Sequence, residues 1–270
     1  MSRKIGAELF YFWSGDEQKV IDNMKYMKEA GFGCVFWPLL LDNQAQMERY
    51  LQVAADLDLE IDELHEMPTN INHIWYDEPL GDKPMQLALD SIDFCADHGV
   101  EKMVMHESSG RLAPDMSNAG LSRFRRIFEH ANERGVKVAV ENLRRTNHLA
   151  RIFHENRDLE VYWCWDTGHE LCYSPGVDHL ALFPEKLICT HVHDNRGIYM
   201  KDDHFLPFDG MNDWEKDARL FKATGYKGNI CGELKRTDPR YADMSDKDFC
   251  AEAYKRLKKF ADMVDEAEEK

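Results

Sequence analysis

The chain has 270 residues, 43% of them hydrophobic, and its 34 basic and 50 acidic side chains give a formal net charge of −16. That length supports a sizeable core, while the acid excess opposes the polyanion attraction from which nucleic-acid binders draw most of their affinity, so a nucleic-acid partner is not expected. Apolar residues are dispersed rather than gathered into spanning lengths, and "MSRKIGAELFYFWSGDEQKV" holds no apolar run of signal-peptide length, so a soluble cytoplasmic protein with no membrane partner is expected.

Short β-type runs alternate with longer amphipathic segments from residue 1 to 270, without a low-complexity linker, which predicts a single domain. The first strand is expected over 4–13, and the segment after it repeats Val20, Met24 and Met27 at helical spacing before Gly31 stops it. Further strands are expected at 33–40, 60–67, 101–108, 136–143, 160–169, 186–194 and 228–235, several of them preceded by a helix-then-glycine junction such as "DHGVEKMVMH" and "ERGVKVAVEN". A last helix is expected from about Ser245 to Glu269. Eight βα pairs imply a parallel sheet closed into a (β/α)8 barrel of α/β class. Neither G-x-G-x-x-G nor a P-loop occurs, which weakens the open-sheet nucleotide-binding alternative. The seven cysteines are odd in number, lack CxxC spacing and sit in apolar segments, so they read as reduced core residues.

Barrels of this class build their sites at the C-terminal ends of the strands. Polar residues collect there: His65, His106, Glu141, Asp166 with His169, His191 with His193 and Asp194, and Glu233, while the stretch after the seventh strand adds Asp202 and His204. A lone histidine is usually a hydrogen-bonded structural residue. Three carboxylates at one barrel mouth, Glu141, Asp166 and Glu233, are another matter, because unpaired buried charge costs several kcal/mol and a cation offsets it. Imidazole and carboxylate together suit Zn²⁺, Mn²⁺, Fe²⁺ or Co²⁺ better than Ca²⁺. His73, His98, His130, His148, His154 and His179 are expected at the surface, and "SRFRRIF" as a helix face. Phe12, Trp13, Trp37 and Trp75 are candidates for an apolar wall, and Arg144 and Arg145 follow Glu141 closely.

The pieces "VENL", "WDTGH", "HVHDN", "DDHFLPFDG" and "GEL" together resemble the xylose isomerase-like TIM-barrel superfamily, which includes sugar isomerases and epimerases and the endonuclease IV nucleases. The resemblance covers the whole chain. It implies a divalent cation (Mn²⁺, Zn²⁺, Co²⁺ or Mg²⁺) held by Glu141, Asp166, His191 and Glu233, with Glu141 and Glu233 also sharing acid and base roles. His191 is preferred to His193 because His-x-x-Asp matches the family pattern; the two share strand parity, so periodicity does not separate them. His65, His106, His169, His193 and Arg196 are implied as substrate contacts, and His65, His106, His169, Asp202 and His204 fill the additional metal positions of the nuclease branch. The implied activity is proton abstraction next to a carbonyl of a carbohydrate or sugar phosphate, with multimetal phosphodiester hydrolysis and lyase or dehydratase chemistry on a sugar derivative as alternatives. Related epimerases are often homo-oligomers.

Overall fold

The computed structural model describes residues 3–77 and 79–268; Glu269, the expected end of the last helix, lies outside them. Its strands are β1 (Ile5–Glu8), β2 (Cys34–Pro38), β3 (Glu60–His65), β4 (Lys102–Met105), β5 (Lys137–Glu141), β6 (Tyr162–Asp166), β7 (Leu187–His191) and β8 (Ile230–Gly232). Between and after them run α1 (Glu17–Ala30), α2 (Gln44–Asp56), α3 (Asp82–Asp97), α4 (Asn118–Arg134), α5 (Thr146–Glu155), α6 (Thr167–Tyr173), α7 (His179–Leu182), α8 (Trp214–Ala223) and α9 (Asp246–Glu266). The strands pair in the order β7-β6-β5-β4-β3-β2-β1-β8, every ladder parallel. This is a single, nearly closed (β/α)8 barrel. Across the remaining gap the chain just past β7 meets β8: Val192 N donates to Cys231 O at 2.8 Å, and Cys231 N to Thr190 Oγ1 at 2.9 Å.

Local chemistry explains the elements. Asp16 caps α1 by accepting from Lys19 N, Gly31 ends it at φ +109°, and Val20, Met24 and Met27 bury its inner stripe. Ser245 caps α9 in the same way through Asp248 N. Every strand is shorter than its apolar run, mainly because ladder pairing stops at the mouth while the chain continues into the next loop. The run 4–13 becomes Ile5–Glu8 followed by a 3-10 turn at Phe12–Ser14, and 186–194 becomes Leu187–His191. His106, His169, His193, Asp194 and Glu233 therefore stand just beyond the paired strands, on loops or a helix start.

Two register shifts bear on the site: in β7, Trp163 pairs with Leu187 but Cys164 with Cys189, leaving Ile188 extra ahead of His191, and β3 has another. Val35 pairs with Ile61 but Phe36 with Glu63, so Asp62 is an extra residue in β3. Such a bulge re-aims the side chains that follow it. Asp62 and the neighbouring Glu63 are both buried; Asp62 pairs with Lys102 at 2.8 Å, and Glu63 meets His191.

Several side chains lie elsewhere than expected. His148 and His179 are buried rather than at the surface: His148 Nδ1 lies 3.2 Å from Glu107 Oε2, and His179 bridges Glu170 and Thr146. Each is held by a carboxylate from another segment, a pairing that helical context does not reveal. Arg123 of "SRFRRIF" is also buried and donates to the carbonyls of Ile74 and Tyr76. Phe12, Trp37 and Trp75 belong to the core rather than to a wall, Trp75 donating to Glu107 O at 2.6 Å, whereas Trp13 remains exposed. All seven cysteines are buried and unbridged. No helix among the described residues is long and apolar enough to cross a membrane.

Candidate active site

Glu141, the last residue of β5, is the hub of the barrel mouth. It is fully buried, and its Oε2 lies 3.1 Å from His65 Nε2 and 3.0 Å from His106 Nε2. Its Oε1 lies 2.7 Å from His169 Nδ1 and 3.5 Å from His191 Nδ1. Glu233, just past β8, approaches the same His191 Nδ1 at 3.2 Å through Oε2. Glu141, His191 and Glu233 thus converge, with His65 and His106 at one flank.

The other flank is built around Asp166, the last residue of β6. Its Oδ1 accepts from His169 N at 2.6 Å, which also caps α6, and lies 2.9 Å from His193 Nε2. Asp202 Oδ2 lies 3.0 Å from His169 Nε2 and 2.9 Å from His204 Nε2, and the rings of His193 and His204 stack at 4.2 Å. His193 reaches this depth because residue 168 is glycine: a Cβ there would sit 1.9 Å from the imidazole. His193 is therefore a fully buried partner of Asp166.

The loop carrying Asp202 and His204 is pinned by Asp194. The buried carboxylate accepts from the backbone N–H groups of Asn195, Gly210 and Asn212 and from Trp214 Nε1, at 2.9, 2.9, 3.1 and 3.1 Å respectively. An antiparallel bridge between Asp194 and Phe205 folds the loop back, and His204 takes φ +52°, in the left-handed region rarely used by non-glycine residues. His204 Nδ1 is hydrogen-bonded to Glu233 O at 2.9 Å, leaving Nε2 for Asp202. Arg196 lies apart from this cluster: it is largely exposed and its guanidinium is clamped to Asp203. Arg144 stacks on Tyr173, 3.7 Å from the ring centroid, and Arg145 donates to Ala113 O at 3.0 Å.

Charge balance in the cluster is set by proximity. Burial would raise the carboxyls of Glu141, Glu233 and Asp202, yet the surrounding imidazoles outweigh it and hold all three well below the usual range. Conversely, burial would lower the imidazole of His65, but Glu141 and Glu233 push it up to about 9. Glu8, at the end of β1, differs: burial and the charge of Glu233 push its carboxyl up to about 8.

The donor set fits a divalent cation. Glu141 Oε1, His169 Nδ1 and His191 Nδ1 are buried side by side, and none makes a hydrogen bond; His106 Nδ1, His193 Nδ1 and Asp202 Oδ1 are likewise without one. Among the described residues, the groups of ligating atoms that lie within 4.8 Å of one another include His65, Glu141 and His191; Asp166, His169 and His193; and His193, Asp202 and His204. Oxygen and imidazole donors at this density suit a first-row divalent ion. Of the expected quartet, Glu141 and Glu233 lie near His191 Nδ1, and Asp166 Oδ2 reaches the same neighbourhood, 3.6 Å from the His169 Nδ1 that is 2.7 Å from Glu141 Oε1.

Beside the cluster lies a cleft of about 210 Å³ bounded by Glu8, Trp13, Phe36, His65, Glu233 and Lys235. Trp13 supplies the exposed aromatic edge expected of a wall. Glu8, Glu63 and Lys235 were not apparent from sequence. A carboxylate closing the apolar run of β1 was the available signal for Glu8, and shared parity with His65 was the signal for Glu63.

The fold and this mouth define a class, and the sequence places the chain in it: residues 24–260 match the family described as xylose isomerase-like TIM barrel, and the protein belongs to that family. Among curated proteins, the uncharacterized protein y4fM of Sinorhizobium fredii (strain NBRC 101917 / NGR234) is 33% identical over 157 residues, 53% of this chain and 50% of that protein. The chain thus spans about half the length of the curated relative it matches. Among solved structures, an L-ribulose 3-epimerase superposes with a TM-score of 0.71 at 18% identity, covering 100% of each chain. The D-allulose 3-epimerase of Methylomonas sp. gives 0.74 at 16% identity, covering 96% of this chain and 100% of that one. The D-psicose 3-epimerase of Clostridium cellulolyticum H10, solved with D-tagatose, gives 0.75 at 14% identity, covering 97% and 99%. These likenesses are of fold.

Proposed function

We propose that the protein is a divalent-metal-dependent isomerase or epimerase acting on a small carbohydrate by proton abstraction next to a carbonyl. The observation that carries this reading is the convergence of Glu141 and Glu233 on His191 Nδ1 beside a cleft with an aromatic edge. The cleft, about 210 Å³, has room for a small polar molecule such as a monosaccharide. The named epimerase activities of the structural neighbours support the same class.

Glu141, His191 and Glu233, with Asp166 across the mouth, would hold the cation. When bound there it would supply electrophilic polarisation of the substrate's carbonyl and hydroxyl oxygens. The chain's own residues do the rest. Glu233 borders the cleft and, ionised under the influence of His204 and His191, takes the proton from the carbon next to the carbonyl. Glu141, its charge maintained by the four surrounding imidazoles, would be the second base, taking the proton when the reaction runs from the opposite face, and it returns that same proton in the forward direction. His65 and His106 line the cleft and contact substrate hydroxyls, while Trp13 and Phe36 cover an apolar sugar face. The protein's activity tests the reading: incubation with a ketose panel in D₂O should incorporate deuterium next to the carbonyl, only with divalent metal present. Absence of exchange on every sugar tried, with metal bound, would count against it.

A second reading is favoured by one observation. His65 and His106 on Glu141, together with His169 and His204 on Asp202, provide two additional ligand groups of the kind a multimetal phosphodiesterase uses. The net charge of −16 opposes a nucleic-acid substrate. Cleavage of an abasic duplex, without sugar exchange, would favour this reading over the first.

A further inference from the structure

Glu63 takes no part in the reaction above, yet its carboxylate is completely buried in the barrel next to the site. Burying such a charge is costly unless it is paired and hydrogen-bonded. Among the described residues its hydrogen bond is with His191 Nε2 at 2.6 Å, through Oε1, while Oε2 is buried without one. The bulge at Asp62 sets the register of this part of β3, placing Glu63 opposite Phe36. Phe36 in turn stacks on the His191 ring, with centroids 4.7 Å apart and planes within 5°. His65 flanks the same ring at 5.7 Å.

These contacts leave His191 one orientation. Glu63 holds Nε2, while Nδ1 faces Glu141 Oε1 at 3.5 Å and Glu233 Oε2 at 3.2 Å and makes no hydrogen bond. With a cation on Nδ1, the ring keeps one hydrogen, on Nε2, where Glu63 Oε1 accepts it, and its Nδ1 lone pair is free for the cation between the two glutamates. A carboxylate behind an imidazole fixes the ring and raises its basicity toward a metal on the opposite nitrogen.

We infer that Glu63 is the positioning residue that makes His191 an Nδ1 ligand for the divalent cation. The inference rests on the metal-dependent reading of the site. Its role is distinct from acid–base chemistry, because the carboxylate lies behind the ring and meets the centre only through it.

The test compares metal binding by the full-length wild type, Glu63→Gln and Glu63→Leu after chelator treatment. Mn²⁺ titration calorimetry gives affinity, and the visible absorption of the Co²⁺-loaded proteins reports the ligand field. Gln keeps the shape and an acceptor oxygen but brings no charge, so Mn²⁺ affinity should fall about tenfold. Leu removes the acceptor, so the loss should approach a hundredfold, with a changed Co²⁺ spectrum. Circular dichroism of the metal-free proteins checks the fold, and if the Leu protein does not fold, Gln alone decides. A folded Gln protein with wild-type Mn²⁺ affinity and an unchanged Co²⁺ spectrum overturns the inference while leaving the metal reading intact. A wild type that binds neither ion overturns both.

Discussion

Glu141 Oε1 and His169 Nδ1 lie 2.7 Å apart, fully buried, yet share no aligned hydrogen bond. Two polar atoms that close, with the unpartnered Nδ1 of His191 beside them, are arranged around a common point rather than for each other. On the opposite flank Asp202 Oδ1 is also buried without a hydrogen bond, while His193 Nε2, 3.7 Å from it, is taken up by Asp166.

Removing divalent metal should destabilise the protein. Glu8, Glu63, Glu141, Asp166 and Glu233 crowd one end of the barrel, and a ligand bound only to the folded state stabilises it by about 2.7 kcal/mol at a hundred times its dissociation constant. Thermal melts of chelator-treated protein, with and without Mn²⁺ or Zn²⁺, should separate by several degrees. Coincident melts would contradict the cation fit.

Glu233→Gln should leave the fold intact and lower substrate deuterium exchange by about 10²–10⁴-fold, the usual contribution of a positioned general base. Gln fills the same space but carries no proton-accepting charge. Exchange measured by NMR on the variant at wild-type level would remove Glu233 from its proposed role.

Asp194→Ala should release the loop from Asn195 to Asp213. Four donors lose their acceptor, three of them backbone N–H groups. Bonds to a charged acceptor are worth about 1.5–3 kcal/mol each and are not additive, so a loss of roughly 2–4 kcal/mol is expected. Limited proteolysis should cut within this loop in the variant before any site cut in the wild type, because Asp202 and His204, which pack on His169 and His193, travel with it.

Asp217 gives the protein a pH dependence remote from the metal cluster. It is buried on α8, and burial together with Glu170, Asp213 and Asp178 pushes its carboxyl up to about 8, with Lys216 acting in the opposite sense. Because the folded value lies above the unfolded one, the protonated group's contribution is complete below about pH 4 and is lost as pH rises toward 8. Asp217→Asn should abolish that slope, so its stability advantage over wild type should grow between pH 4 and 8, by on the order of a few kcal/mol. Urea melts at three pH values across this range measure it; parallel changes in both proteins would refute it.

The barrel was legible because its signals are periodic: apolar runs, glycine stops after helices and the count of eight. His65, His106, Glu141, Asp166, His191 and Glu233 were legible because each stands at or near the end of an apolar run, whereas Asp202 and His204 lie in the stretch after β7 and gained a role only through the family resemblance. What could not be read was pairing across space. His148 and His179 carry no mark in their helical context of the Glu107 and Glu170 that bury them. Glu63 was hidden for a related reason, since its value depends on a one-residue bulge in β3, and a bulge leaves no trace in an alternating pattern. His193 was ambiguous by parity, and only the contact over Gly168 sends it to Asp166 rather than into the cleft.

The barrel's one unzipped seam runs between β7 and β8, and it passes through the site. His191 and His193 stand on one lip of it and Glu233 on the other, with the Val192–Cys231 bond as the stitch beneath. A cation or sugar held by both His191 and Glu233 would therefore tie the two lips together above that stitch, so that occupancy of the mouth would also brace the barrel at its weakest join.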